Sequence, residues 1–166
     1  MFESAWQSMK ADKHRFCGTA ATLCAMAGIV LIPSILNGFP FLFDDSASYL
    51  HTSKYRLTPL DRPIFYGLFL RLVHWKLSPW PVAIVQALLS VFVVREFART
   101  FFGIFSRAKL LVLAALLMLS TSLPWFAANI MPDIYTSLMI LALGLLTLGW
   151  SSLSRTSWSN SKHRSA

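Results

Sequence analysis

Asp44 and Asp45 stand side by side just after an apolar run, Phe16 to Leu36, that is long enough to cross a bilayer, and after the Asn37-Gly38-Phe39-Pro40 break. Two adjacent carboxylates at that position sit just outside the hydrocarbon, where water and a lipid headgroup both reach them. A carboxylate there can act as a general base and take a proton from an acceptor hydroxyl. Two more carboxylates fall on the same expected side, Asp61 and Asp133. His51, Arg56 and Arg62 lie close in sequence to the aspartate pair and are candidates to hold the charged part of a substrate. If a lipid phosphate is the leaving group, its charge needs a cation, which an arginine, a lysine or a divalent metal supplies.

Each of these residues also has a plain structural role. Asp44 or Asp45 can cap the helix that begins there, although one cap needs only one carboxylate. Asp61 precedes Arg62-Pro63 and reads first as a cap, with the proline in the first helical turn. Asp133 follows Pro132 and can favour the positive end of the helix after it. His51 and His74 read as interface residues, Arg62 and Arg71 as side chains that snorkel to headgroups. Gln86 and Asn129 read as polar glue between helices. No phosphate-cradling glycine loop, Ser-His-Asp set, HExxH or CxxC is present.

The elements that must position these residues follow from composition. Of 166 residues, 55% are hydrophobic and 13% charged, against about a quarter charged in soluble domains. The expectation is an all-α integral membrane protein of about four spans with one long outer loop carrying interfacial helices. Span one covers about 16–36, span two 80–94, span three 110–126 and span four 134–150. The outer loop 37–79 holds a helix from Asp45 to about Lys54 and a second from Ile64 to Trp75, the latter too short and too charged to cross. Residues 1–15 read as an interfacial cytoplasmic segment, and the Ser-rich basic tail 151–166 as disordered. The first span ends without a small-x-small cleavage site and reads as an uncleaved signal anchor.

The formal charge of +8 suggests nucleic acid in a soluble chain, but here the basic residues flank the apolar runs, where they orient spans and meet anionic lipid. Ten Lys and Arg fall in the amino tail, the 95–109 loop and the carboxyl tail, against five in the 37–79 loop. That imbalance puts both termini in the cytoplasm and the acidic loop outside. Trp80, Trp125 and Trp150 fall at expected span ends. Cys17 and Cys24, seven residues apart on one helix, stand about 10 Å apart by the helical rise and cannot pair.

Three segments carry a resemblance: Phe43-Asp44-Asp45-Ser46-Ala47-Ser48-Tyr49-Leu50, Arg62-Pro63-Ile64-Phe65-Tyr66-Gly67-Leu68-Phe69-Leu70 and Met131-Pro132-Asp133-Ile134-Tyr135. Their order relative to the spans resembles the amino-terminal part of GT-C membrane glycosyltransferases, most closely the dolichyl-phosphate-mannose and lipid A aminoarabinose transferase type. The resemblance implies that Asp44 or Asp45 is the catalytic base. It also implies that Asp133 assists or holds a divalent metal, and that the sugar donor is a polyprenyl-phosphate lipid. Such enzymes usually have eight or more spans, so the resemblance implies either a fragment of a longer protein or a short relative that cannot hold a donor alone, in a bacterial inner membrane. The competing expectation is a non-catalytic four-span partner of a larger membrane protein in an envelope complex.

Overall fold

The structure is a computed structural model that describes residues 2–55, 64–74 and 78–149, with backbone alone for 2–15 and 74. Arg56, Asp61, Arg62, Lys76, Trp75, Trp150 and the tail 151–166 lie outside the described residues. Every named element is a helix: α1 Phe2–Val30, α2 Ile32–Asn37, α3 Asp44–Tyr55, α4 Ile64–His74, α5 Trp80–Phe102, α6 Arg107–Ser120, α7 Leu123–Ala128 and α8 Asp133–Leu148. Among the described residues the one extended pairing is an isolated bridge between Phe41 and Asn129.

Helix boundaries depart from the expected spans where charge was taken as a stop. The backbone of α1 is helical from Phe2 onward, so Lys10, Lys13 and Arg15 do not separate an interfacial segment from the apolar run. Likewise α5 continues through Arg95, Glu96 and Arg99 to Phe102. Lys, Arg and Glu are good helix formers, so a change of polarity along the chain does not end a helix. What ends α5 is Gly103, at φ 62°, a left-handed residue that a side chain would strain.

Two apolar runs expected to be continuous are broken instead. Leu31 separates α1 from α2, and Thr121-Ser122 separates α6 from α7. In both cases the second piece opens with a proline in its first turn, Pro33 and Pro124, where a missing N–H costs no helical bond. Helices α2 and α7 pack on each other, so the two breaks lie side by side at one end of the bundle.

The core has two parts. Met26, Ala27, Val30 and Leu31 meet Ala83, Ala87, Val91 and Ala98 of α5, Leu110 and Ala114 of α6, and Ala127 and Ala128. The alanines let the backbones approach closely, as small residues do where helices pack in apolar surroundings. A second cluster joins Tyr49, Tyr66, Leu70, Val82 and Ile130 and ties α3 and α4 to the bundle. Helices α3 and α4 touch at Gly67, where an added Cβ would stand 2.5 Å from the Thr52 methyl.

Among the described residues, one helix, Trp80–Phe102, is long and apolar enough by length and composition to cross a membrane. Phe16–Val30, Ile64–Val73 and Asp133–Leu148 are apolar but shorter.

Candidate functional site

The aspartate pair begins α3. The Phe43 N–H donates to the Ser46 hydroxyl at 2.9 Å, and the Ser46 N–H donates to the Phe43 carbonyl at 2.9 Å. This closes the first turn in the manner of half a capping box. Asp44 and Asp45 occupy that first turn, where negative charge complements the positive helix end. Asp44 is exposed and Asp45 half-buried. Asp133 likewise opens α8, with Pro132 at the capping position, and it is exposed.

The two acidic turns are joined directly. The Phe41 N–H donates to the Ala128 carbonyl at 3.0 Å, and the Ile130 N–H donates to the Phe41 carbonyl at 3.1 Å. The buried Ser46 hydroxyl donates to the Ile130 carbonyl at 2.9 Å. Two residues after the first junction comes Phe43, then Asp44; three after the second comes Asp133. Turns more than eighty residues apart in sequence are thereby held to one end of the bundle.

Beneath this junction lies a polar cluster that spacing alone does not reveal. Gln86 of α5 is completely buried. Its amide nitrogen donates to the Met131 carbonyl at 3.1 Å and, at the limit of a hydrogen bond, to the Tyr66 hydroxyl at 3.5 Å. Tyr66 meets Tyr49 edge-on with centroids 5.0 Å apart, stacks on Phe69 at 5.8 Å and meets Tyr135 at 6.1 Å. Phe69 and Tyr135 meet at 5.5 Å. Burial pushes the Tyr66 hydroxyl well above its ordinary value, with smaller contributions of the same sign from Tyr135, Tyr49 and Asp133 and an opposing one from the Gln86 hydrogen bond. The group therefore stays protonated.

Three oxygens in this region are buried without a hydrogen-bond partner: Gln86 Oε1, Asn129 Oδ1 and the Tyr135 hydroxyl. Each such group costs about 1–3 kcal/mol.

The other candidates are placed as follows. His51 is exposed on α3 with its ring 4.6 Å from that of Tyr55. It stands two turns from Asp44, about 10 Å along the axis, and is not brought to the carboxylates. Arg56, Arg62 and Asp61 lie outside the described residues. Arg71 donates to the Ser53 carbonyl at 3.2 Å, which sets a cation at the C-terminal end of α3. Gln86 does act between helices as expected. Ser46, Tyr66 and Tyr135 were missed as polar members of the site. Among the described residues, no three of His, Cys, Asp and Glu converge to hold a metal ion.

Compared with family models, with curated proteins and with solved structures, the chain matches none.

Proposed function

We propose that the chain is a GT-C-like glycosyltransferase module that moves a sugar from a polyprenyl-phosphate donor to an acceptor hydroxyl at the outer membrane face. One carboxylate of the Asp44-Asp45 pair takes the acceptor proton. The acceptor oxygen bonds to the sugar's anomeric carbon, and the bond from that carbon to the phosphate oxygen breaks, leaving its electron pair on the lipid phosphate. The observation that carries this reading is the Phe41–Asn129 pairing with the Ser46–Ile130 hydrogen bond, which fixes the Asp44-Asp45 turn against the Asp133 turn.

Membrane insertion in four passes belongs to the same proposal. Helix α5 is one pass, α8 another. The broken pairs α1–α2 and α6–α7 supply the remaining two, over 16–37 and 107–128. About twenty residues are needed per crossing, and a break inside a pass is tolerated when it packs on protein, as α2 and α7 do on each other. The basic residues at the opposite end then lie in the cytoplasm with both termini.

The test is transfer from a radiolabelled hexosyl polyprenyl phosphate in membranes carrying the protein. Changing Asp44→Asn and Asp45→Asn together should lower transfer by about 10²–10⁴-fold, the usual contribution of a general base. Undiminished transfer by the double variant, still in the membrane, would end the proposal.

A second reading, a non-catalytic four-span partner of a larger envelope protein, draws on one feature. Met139, Ile140, Leu143 and Leu146 of α8 are all more than half exposed on one side of the helix, a face that lipid or a partner helix would cover. Co-purification with a larger membrane protein, together with indifference to the aspartate changes, would favour it.

A further inference from the structure

We propose that Arg99, Arg107 and Lys109 bind the headgroup of an anionic phospholipid at the end of the bundle opposite the aspartates. The inference rests on the four-pass reading above and not on the transferase chemistry. The fold brings these cations to one end. The last turns of α5 carry Arg95 and Arg99, and a connection of four residues, 103–106, leads to α6, which opens with Arg107 and Lys109. Arg107 reaches across to α1, where a Cβ added at Gly18 would run into its guanidinium. The helical turns of α1 before Gly18 hold Lys10, Lys13 and Arg15 in sequence, against Asp12.

Charge at this end is unbalanced. The acidic side chains among the described residues are Asp44, Asp45, Asp133 and Glu96, and the first three stand at the other end. Glu96 is shared by Arg95 and Arg99. Arg107 and Lys109 form no ion pair among the described residues, and both side chains are exposed. They lie in the first turn of α6, where positive charge opposes the helix dipole, so the helix does not account for them.

The apolar surroundings select the ligand. Lys109 shares one face of α6 with Val112, Leu116 and Leu119, which are all more than half exposed. From Lys109 to Leu119 that strip runs about 15 Å along the axis. Phe102 and Phe105 are bare beside the cations, and Arg99 lies over the Phe105 ring. A cationic head above a long apolar strip matches a phospholipid, with its phosphate on the arginines and lysine and its acyl chain along α6. Cations and aromatic rings also hold single-stranded nucleic acid, but such a strand leaves the strip uncovered.

The experiment uses the full chain in nanodiscs of roughly nine phosphatidylcholine to one phosphatidylglycerol, extracted into mild detergent, with the lipids that stay bound measured by mass spectrometry. Phosphatidylglycerol should be enriched about tenfold or more over its bulk share, since each cation contributes about fivefold. Changing Arg99→Gln, Arg107→Gln and Lys109→Gln together should lower that enrichment at least about fivefold, and the exposed Lys109→Gln alone by about three- to fivefold. A control that removes the same charge from the carboxyl tail, Arg155→Gln with Lys162→Gln and Arg164→Gln, should leave it unchanged. Equal retention of both lipids, or equal loss in the control, overturns the site while leaving the four passes standing. A short single-stranded DNA that binds more tightly than phosphatidylglycerol, and loses that binding in the first triple variant, overturns the choice of a lipid. Recovery of the protein from cells without detergent overturns the four-pass reading and the site with it.

Discussion

At the end of the bundle that carries Asp44, Asp45 and Asp133, segments remote in sequence are bonded to one another. Phe41 exchanges hydrogen bonds with Ala128 and Ile130, Ser46 reaches Ile130, and Gln86 reaches Met131. At the opposite end the ion pairs among the described residues are local ones. Glu96 pairs with Arg95 beside it and with Arg99 one turn on, at 3.6 Å. Arg99 lies over the Phe105 ring, 5.3 Å from its centroid, just past the end of the same helix. Long-range bonds between buried groups fix the relative position of two turns; local ion pairs at a wet surface fix only rotamers. The hydrogen bonds at the acidic end thus hold its two turns in a set relation to each other.

The contrast breaks most directly at Ser46. Its hydroxyl accepts from Phe43 and donates to Ile130 in a site with 1% exposure. Ser46→Ala leaves a buried carbonyl without its donor and should cost about 2 kcal/mol, read from thermal or denaturant unfolding in detergent. A loss below about 0.5 kcal/mol would mean the two turns are held by something else.

Gly67 should give the next effect. A Cβ there stands 2.5 Å from Thr52 Cγ2 and 2.9 Å from its Cβ. The Thr52 hydroxyl is bonded to the Ser48 carbonyl at 3.0 Å, which discourages a rotamer change. Gly67→Ala should therefore push α3 and α4 apart at about 1–2 kcal/mol, and adding Thr52→Ala, which removes the 2.5 Å contact but keeps the Cβ at 2.9 Å, should recover part of the loss. Failure of the second change to recover stability would show that the helices are not in contact there.

These two residues also show how far the amino-acid order could be read. The helix carrying Asp44 and Asp45 and the helix from Ile64 were legible from turn and cap signals. The closeness of the two acidic turns was expected on the condition that the helices bundle. Ser46 was not legible as a link, because its partner Ile130 is 84 positions away and a lone serine in a first turn has an ordinary local use. Gln86 and Tyr66 come from different helices, and a single polar side chain in an apolar stretch carries no spacing that names its partner. The breaks at Leu31 and Thr121-Ser122 were hidden by unbroken apolarity, although Pro33 and Pro124 marked both. Helix α5 runs past the expected span end at 94 to Phe102, because charged residues continue a helix and the left-handed Gly103 ends it.

Gln86→Leu sharpens the comparison from the other side. The change removes two donated bonds and leaves the Met131 carbonyl bare, but it also removes the unpartnered Oε1. With a half-satisfied group replaced by a well-sized apolar one, the net change in stability should stay within about 1 kcal/mol. Unfolding measurements check this, and a loss well above that range would make Gln86 a structural clamp first.

The smallest effect belongs to the basic end. The side chains of Glu96 and Arg99 are about a third exposed, 33% and 35%, so water and salt already screen their attraction, whereas Arg95 is only 12% exposed and its pair with Glu96 is screened less. Glu96→Gln removes the shared counter-charge of both arginines but keeps an amide oxygen that can still accept from Arg95, so it should cost about 1 kcal/mol or less at low salt and lose part of that effect near 0.5 M. Ser46→Ala should keep its full effect across the same salt range, because no net charge is involved. Unfolding both variants at two salt concentrations therefore separates the two ends. If Glu96→Gln matched Ser46→Ala and persisted in high salt, the basic end would have to be counted as equally well fixed.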